Sequence, residues 1–307
     1  MPFVPVVEGT PREIAELAER RWDAVVAARP DLAPAIALQR RLIAIVSELA
    51  RALEHGRLPR LSLPPKYLAA KLARGVPVLA GEPIPLPVPV LAPALARFCD
   101  ALADAGAGDA ATHIRDAIVT GNIEAGSLLS ASLGRQQAAI RTGATHRGLA
   151  PALVWLVAEL AVSPFVHALQ TLLLSAATDE GLVRALGAWD HGYCPACGSW
   201  PALAEVVGGH RTLRCSFCSS AWEPRTYGCI YCADRSDQFV TAAPDEHRKD
   251  RRIEACGACG GYLKTIDLTA LSPFPLLSIT DIETTDLDLA AMDHRFQRPA
   301  LKEFAPR

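Results

Sequence analysis

Four Cys-x-x-Cys pairs stand between residues 194 and 259: Cys194/Cys197, Cys215/Cys218, Cys229/Cys232 and Cys256/Cys259. They take eight of the nine cysteines in the chain, and the ninth, Cys99, lies far away in "LARFCDALAD". No other feature limits the possible folds as much. A Cys-x-x-Cys turn aims two sulfurs at one centre and leaves backbone N–H groups to bond them, so two turns make a closed tetrahedral four-sulfur site. Glycine follows the pair in "CPACG" and "CGACGG", where a tight sulfur-binding turn calls for a positive φ.

Spacing bears on which pairs combine. The first two pairs are 17 residues apart, within the usual zinc-ribbon range, and the last two are 23 apart, slightly beyond it. "ALAEVVGGHRTLR" (202–214) reads as two strands around a Gly-Gly turn, which would return the chain directly to the first pair. Consecutive pairing is therefore favoured over a cross-braced alternative. Small β modules of this size bury too little apolar surface to stand alone, and a structural four-thiolate site supplies what is missing. Zinc and iron both accept four sulfurs in a tetrahedron. No open coordination position and no activating base accompany the cysteines, which argues against metal-assisted hydrolysis. Disulfide and thioredoxin-type dithiol readings are the weaker alternatives. His191 and His210 lie near cysteines but are surplus to two filled sites. His167 and Cys99 read as core residues.

At 307 residues, two or three domains are expected, and half the residues are hydrophobic, enough for a large core. Formal net charge is −2. Residues 186–307 carry 13 Lys/Arg against 16 Asp/Glu, a balance of −3, the wrong sign for phosphate neutralisation. The basic run at 247–252 reads as a solvated loop. A zinc-ribbon nucleic-acid binder thus becomes a secondary reading, beside a rubredoxin-like electron-transfer component. The N-terminal stretch "MPFVPVVEGTPREIAELAERRW" has no basic region followed by an apolar one. The apolar stretch at 149–176 is interrupted by Glu159, Pro164, His167 and Gln170, so buried helices are expected there rather than an integral membrane segment. These features point to a cytoplasmic protein.

The first half of the chain reads as helical. "TPRE" (10–13) is a capping box opening a helix to about Ala28. A second helix is expected from Pro34 to His55, with Leu38, Leu42, Ile45, Leu49 and Leu53 on one face and Gly56 as cap. Six prolines in 76–93 exclude helix there and suggest an apolar strap across the helical domain. Further helices are expected at 91–105, 109–119, 123–133, 148–162 and 164–177, the last capped by Ser163 with Pro164 at its first position. "AWEPRTY" and "YLKTIDL" are strand candidates, and 281–296 suggests a short helix.

"CPACGSWP", "LRCSFCSSAWEPRTYGCIYC", "EACGACGGYLKTID" and the tail "LDLAAMDHRFQRP" together resemble the FdhE family of formate dehydrogenase accessory proteins. The resemblance runs from about 186 to 299. It implies a cytoplasmic, non-catalytic assembly factor that contacts the catalytic subunit of a respiratory formate dehydrogenase before export. It also implies rubredoxin-like cysteine turns associated with iron, with all eight paired cysteines as ligands. The expected fold is an all-α N-terminal domain (1–184), two rubredoxin/zinc-ribbon-like four-cysteine modules (185–227 and 228–272) and a tail (273–307) packed on the body. Cys194, Cys197, Cys215 and Cys218 would hold one metal ion, and Cys229, Cys232, Cys256 and Cys259 the other, with iron favoured and zinc the alternative.

Overall fold

The computed structural model describes every residue except 1–2, 7–8, 55–57, 60, 62, 176, 245–247 and 302–307. The expected cap at Gly56 and the first residue of the basic run, His247, therefore lie outside the described residues, as does the end of the tail. In chain order the elements are strand β1 (Phe3–Val4) and helices α1 (Pro11–Ala28), α2 (Ala33–Glu54), α3 (Pro65–Ala73), α4 (Val88–Leu102), α5 (Gly108–Val119), α6 (Ala125–Leu133), α7 (Gln137–His146), α8 (Pro151–Gln170) and α9 (Glu180–Gly187). Strands β2 (Pro201–Val207), β3 (His210–Cys215), β4 (Ala221–Trp222), β5 (Phe239–Ala242), β6 (Arg251–Cys256) and β7 (Tyr262–Leu268) follow, and then helices α10 (Leu277–Glu283) and α11 (Thr285–Asp293). A helical part thus precedes a sheet region that carries the paired cysteines.

Contacts divide the chain into two units. One comprises Arg20–Ser62 and Gly81–Leu172; the other comprises Met1–Glu19, Leu63–Ala80 and Leu173–Phe304. The division falls inside α1, and α3 and α9 group with the strands.

In the helical unit, α8 packs against α2, α4, α6 and α7. The expected break at Pro164 is absent: α8 runs through it, and Ser163 is an interior residue rather than a cap. A mid-helix proline costs roughly 3 kcal/mol. Val157, Val162, Phe165 and Val166 are fully buried, each worth about 1.5–3 kcal/mol, so packing outweighs the lost hydrogen bond. By length and composition the run Pro151–Ser175 is, among the described residues, the one helix apolar enough to cross a membrane, yet 56% of its window is buried. Cys99 has no exposed surface, and burial first, then the neighbouring Asp100 carboxylate, pushes its thiol up to about 12. It is an inert filler of the core.

The exclusion of helix from 76–93 also needs correction. Helix α4 begins at Val88, with Pro87 at the cap and Pro89 in the first turn, where a missing N–H costs nothing. Pro93 lies inside the helix. The expected strap is divided between the units: residues 76–80 group with the strands, and 81–93 with the helical unit. The N–H groups of Val78 and Leu79 donate to the carbonyls of Pro195 and Ala196 at 2.9 and 3.0 Å. Buried Lys71 holds the strap from behind through Nζ bonds to the carbonyls of Val78 (3.0 Å) and Ala80 (2.6 Å).

The sheet has seven strands in the order β1-β4-β3-β2-β7-β6-β5. Its neighbours are antiparallel except β2 and β7, which pair in parallel with Ala204 opposite Thr265 and Val207 opposite Leu268. Each module contributes a hairpin, and this one parallel seam joins them into a single sheet. The Gly-Gly hairpin and the "YLKTIDL" strand form as expected. "AWEPRTY" is a strand only over Ala221–Trp222, since Pro224 cannot donate to a ladder. Arg251 and Arg252, expected in a loop, open β6. The helix expected at 281–296 is two helices, α10 and α11, and α11 packs on β6 and β7.

Candidate metal centres

All four cysteine pairs adopt one turn. In each, the first cysteine's N–H donates to the carbonyl five residues on: Cys194 to Ser199, Cys215 to Ser220, Cys229 to Asp234 and Cys256 to Gly261, all at 2.9 Å. The residue four on returns a hydrogen bond to the first cysteine's carbonyl, from Gly198, Ser219, Ala233 and Gly260 at 2.8–3.2 Å. That fourth residue has a positive φ every time: 82° at Gly198, 56° at Ser219, 63° at Ala233 and 70° at Gly260. Glycine adopts this conformation without penalty. Ser219 and Ala233 are held in it by the same two backbone bonds. The turn folds both sulfurs to one side and frees the N–H groups between them. Phe217 and Cys218 each donate to Cys215 Sγ at 3.4 Å.

The turns combine consecutively. The sulfurs of Cys194, Cys197, Cys215 and Cys218 all lie within 4.8 Å of one another, and so do those of Cys229, Cys232, Cys256 and Cys259. Individual separations are 3.4 Å for Cys197–Cys215, 3.6 Å for Cys194–Cys218 and Cys229–Cys259, and 3.7 Å for Cys232–Cys256. A tetrahedron with metal–sulfur bonds of about 2.3 Å has sulfur–sulfur edges of about 3.8 Å, so the spacing fits a metal ion. It is far from the ~2.05 Å of a disulfide. Each group could hold one ion, with no ligand from His191 or His210. His191 instead stacks on the Tyr193 ring at 4.9 Å, and its carbonyl accepts from Trp222 Nε1.

The electrostatics of the two groups differ. Burial, reinforced by the adjoining sulfurs, pushes the thiols of Cys194 and Cys218 well above their ordinary value. Burial likewise raises Cys229, against the N–H groups of Cys232 and Tyr231 that favour its thiolate. At Cys256 desolvation is outweighed by hydrogen bonds from Cys259, Cys232 and Ala258, and the thiol falls below its usual value. Such sulfurs become comfortable as thiolates only when a cation stands between them.

No protein-family model matches the chain. It is 32% identical over 117 residues to the FdhE homologue of Aquifex aeolicus (strain VF5), covering 35% of this chain and 40% of that one. It is 30% identical over 150 residues to the FdhE homologue of Serratia proteamaculans (strain 568), covering 46% and 47%. Each match thus spans less than half the relative's length. The crystal structure of the FdhE protein from Pseudomonas aeruginosa superposes with a TM-score of 0.59 at 21% identity, over 99% of this chain and 98% of that one. The chain is thus similar in sequence to part of the FdhE homologues and shares the fold of a solved FdhE protein. The solved FdhE structure extends the likeness in fold across both units, beyond the reach of sequence identity.

Several residues around the cysteine groups of this FdhE-like chain escaped sequence reading. The hydroxyls of Ser199 and Ser220 lie 3.3 Å from Cys197 Sγ and 3.0 Å from Cys218 Sγ. Tyr231 Oη, within the third turn, donates to the Tyr262 carbonyl at the start of β7. Lys264, the lysine of "YLK", is fully buried and bonds the Asp288 carboxylate and the Asp281 carbonyl, both at 2.8 Å. It thereby fastens α10 and α11 to the sheet. A serine five places after the first cysteine in both of the first two pairs was the available signal for Ser199 and Ser220. No local signal marks Lys264 as buried.

Proposed function

We propose that the chain is an accessory factor for assembly of a respiratory formate dehydrogenase, acting in the cytoplasm on the catalytic subunit before its export and catalysing no turnover itself. The observation that carries this reading is the pair of four-cysteine groups set in the fold of the FdhE family. Cys194, Cys197, Cys215 and Cys218 would hold one ion, and Cys229, Cys232, Cys256 and Cys259 the other, with iron favoured over zinc. Bound ions supply on the order of 10 kcal/mol each to folding and, if iron, a redox couple. The modules 185–227 and 228–272 are the corresponding metal-binding parts.

The residues themselves do the positioning. The four identical turns aim the sulfurs, the backbone N–H groups stabilise their charge, and the parallel seam between β2 and β7 holds the two groups in fixed relation. Anaerobic purification with metal analysis, alongside co-purification of the formate dehydrogenase catalytic subunit, tests the reading. Retention of the subunit and two ions per chain is expected. Cys→Ser changes that abolish metal but leave subunit binding and enzyme maturation intact would refute the metal-dependent part.

A further inference from the structure

The two cysteine groups differ in access. In the first group all four cysteines are buried. The strap at Val78 and Leu79 is hydrogen-bonded to Pro195 and Ala196, the two residues between Cys194 and Cys197, and the Ser199 and Ser220 hydroxyls sit on two of the sulfurs. In the second group Cys229 and Cys256 are buried, but Cys232 and Cys259 are exposed.

A cleft of about 340 Å³ opens beside the second group, lined by Cys229, Cys232, Ala233, Trp200, Tyr231 and Arg235 among others. The cleft reaches Cys232 but not Cys259. The rings in its wall have their polar atoms engaged elsewhere: Trp200 Nε1 donates to the Ala300 carbonyl and Tyr231 Oη to that of Tyr262. The cation is different. Arg235 is exposed and forms no salt bridge among the described residues, though its charge also acts on Asp190, which lines the same cleft.

From this we infer that the second centre is an exchangeable metal site, entered through the cleft by small anionic chelating ligands, while the first centre is closed. The inference rests on both groups holding an ion. In the exchange, Cys232 Sγ leaves the ion as a donor atom of the incoming ligand bonds to it, and the released thiolate takes a proton from water. No electron changes hands. Arg235 draws the anionic ligand to the cleft and touches neither ion. Release from the first group has no such path and must wait for local opening of the strap and turns.

The test uses the full chain, loaded anaerobically with zinc under reducing conditions and challenged with excess EDTA. Two release phases of equal amplitude are expected, at least about tenfold apart, because only one site needs local opening. The faster phase should accelerate with EDTA concentration. Alkylation after that phase should label Cys229, Cys232, Cys256 and Cys259 and spare the first four. Arg235→Glu should slow the fast phase with EDTA about threefold or more by reversing the steering charge, and leave release to uncharged 1,10-phenanthroline unchanged. A single release rate, earlier alkylation of the first group, or an equal effect of Arg235→Glu on both chelators would overturn the inference. Loading with fewer than two ions per chain would overturn the two-site reading and this inference with it. Two ions released together would overturn this inference alone.

Discussion

Gly260→Ala and Ala233→Gly are opposite edits at the same position of two like turns, and both fall in the second cysteine group. Each residue sits four places after its turn's first cysteine, with φ of 70° and 63°. Each donates its N–H to that cysteine's carbonyl, at 2.8 and 2.9 Å. A Cβ at Gly260 would meet no heavy atom within 4 Å, so the cost of adding one is conformational. The left-handed region costs an L-residue about 1–2 kcal/mol, and the stiffer unfolded chain returns about 0.4–1 kcal/mol. The net loss is about 1 kcal/mol. Ala233 is exposed, so removing its methyl sacrifices little packing and should gain about the same amount. Because metal binding and local folding share one free energy, about 1 kcal/mol becomes roughly a fivefold change in zinc affinity. Competition for zinc against a chromophoric chelator should show Gly260→Ala about fivefold weaker and Ala233→Gly about fivefold tighter at this site. Gly192→Ala provides the steric contrast. Its φ is not positive, but a Cβ there would lie 1.9 Å from the Ile230 carbonyl oxygen. That variant should lose at least the ~3 kcal/mol at the top of the overpacking range. If Ala233→Gly binds zinc no better than the parent, or Gly260→Ala is as damaging as Gly192→Ala, backbone handedness is not what tunes these turns.

Two further outcomes follow from charges buried in the sheet unit. Arg214 and Glu205 have no exposed side-chain surface and pair with each other; Arg214 also bonds the Ser272 carbonyl at 2.7 Å, and Glu205 accepts from the Ser272 N–H at 3.1 Å. Arg214→Met leaves an uncompensated buried carboxylate and should cost about 3–5 kcal/mol, seen as a Tm lower by about 6 °C or more at fixed metal concentration; a fall of under about 2 °C would contradict it. At Asp281 burial opposes ionisation, but Arg298 and Lys264 outweigh it and hold the carboxyl below the ordinary carboxylate range. A depressed folded-state pKa contributes stability that is present above the unfolded value near 3.9 and lost as pH falls through the folded one. Amide protection across 277–293, corrected for the intrinsic rate, should therefore fall below about pH 4, before that of β2. Uniform protection down to pH 3 would refute the role of this ion pair.

The cysteine groups, the Gly-Gly hairpin and β7 were legible because each rests on a local signal: pair spacing, a two-glycine turn, a run of β-formers. The short helix α9 had one as well, an Asp179 cap accepting from Leu182 N–H at 2.9 Å, but its eight residues lack a long apolar period. Strands β5 and β6 hid for different reasons. Three of the four residues in β5 are exposed, and β6 opens with two arginines that look like a wet loop until Arg252 meets Asp267 at the end of β7. Charge alone would place Glu205 and Lys264 in water, although each shares its strand face with apolar residues, Leu203 and Val207 for one and Tyr262 and Ile266 for the other. Their partners are distant in sequence: Lys264 is covered by Asp281 and Asp288 of α10 and α11, and Glu205 meets Arg214 and the Ser272 N–H; the parallel seam likewise joins segments some sixty residues apart and leaves no mark on either one.

That seam also decides where the two centres stand. Strand β2 starts just after the first cysteine turn, which closes at Ser199, and β7 starts just after the fourth, which closes at Gly261. Parallel strands run from the same end of a sheet. The register pairs Ala204 with Thr265, each the fourth residue of its strand, so the two starts are level. Both centres therefore sit at one end of the sheet, side by side, and the rings of Trp200 and Tyr231 meet between them at 5.1 Å. An antiparallel β2–β7 pair would have sent the centres to opposite ends, with the same cysteine spacing and the same hairpins. The cysteines determine that there are two four-sulfur groups. Only the direction of one strand pair makes them neighbours, one closed beneath its strap and the other open to the cleft.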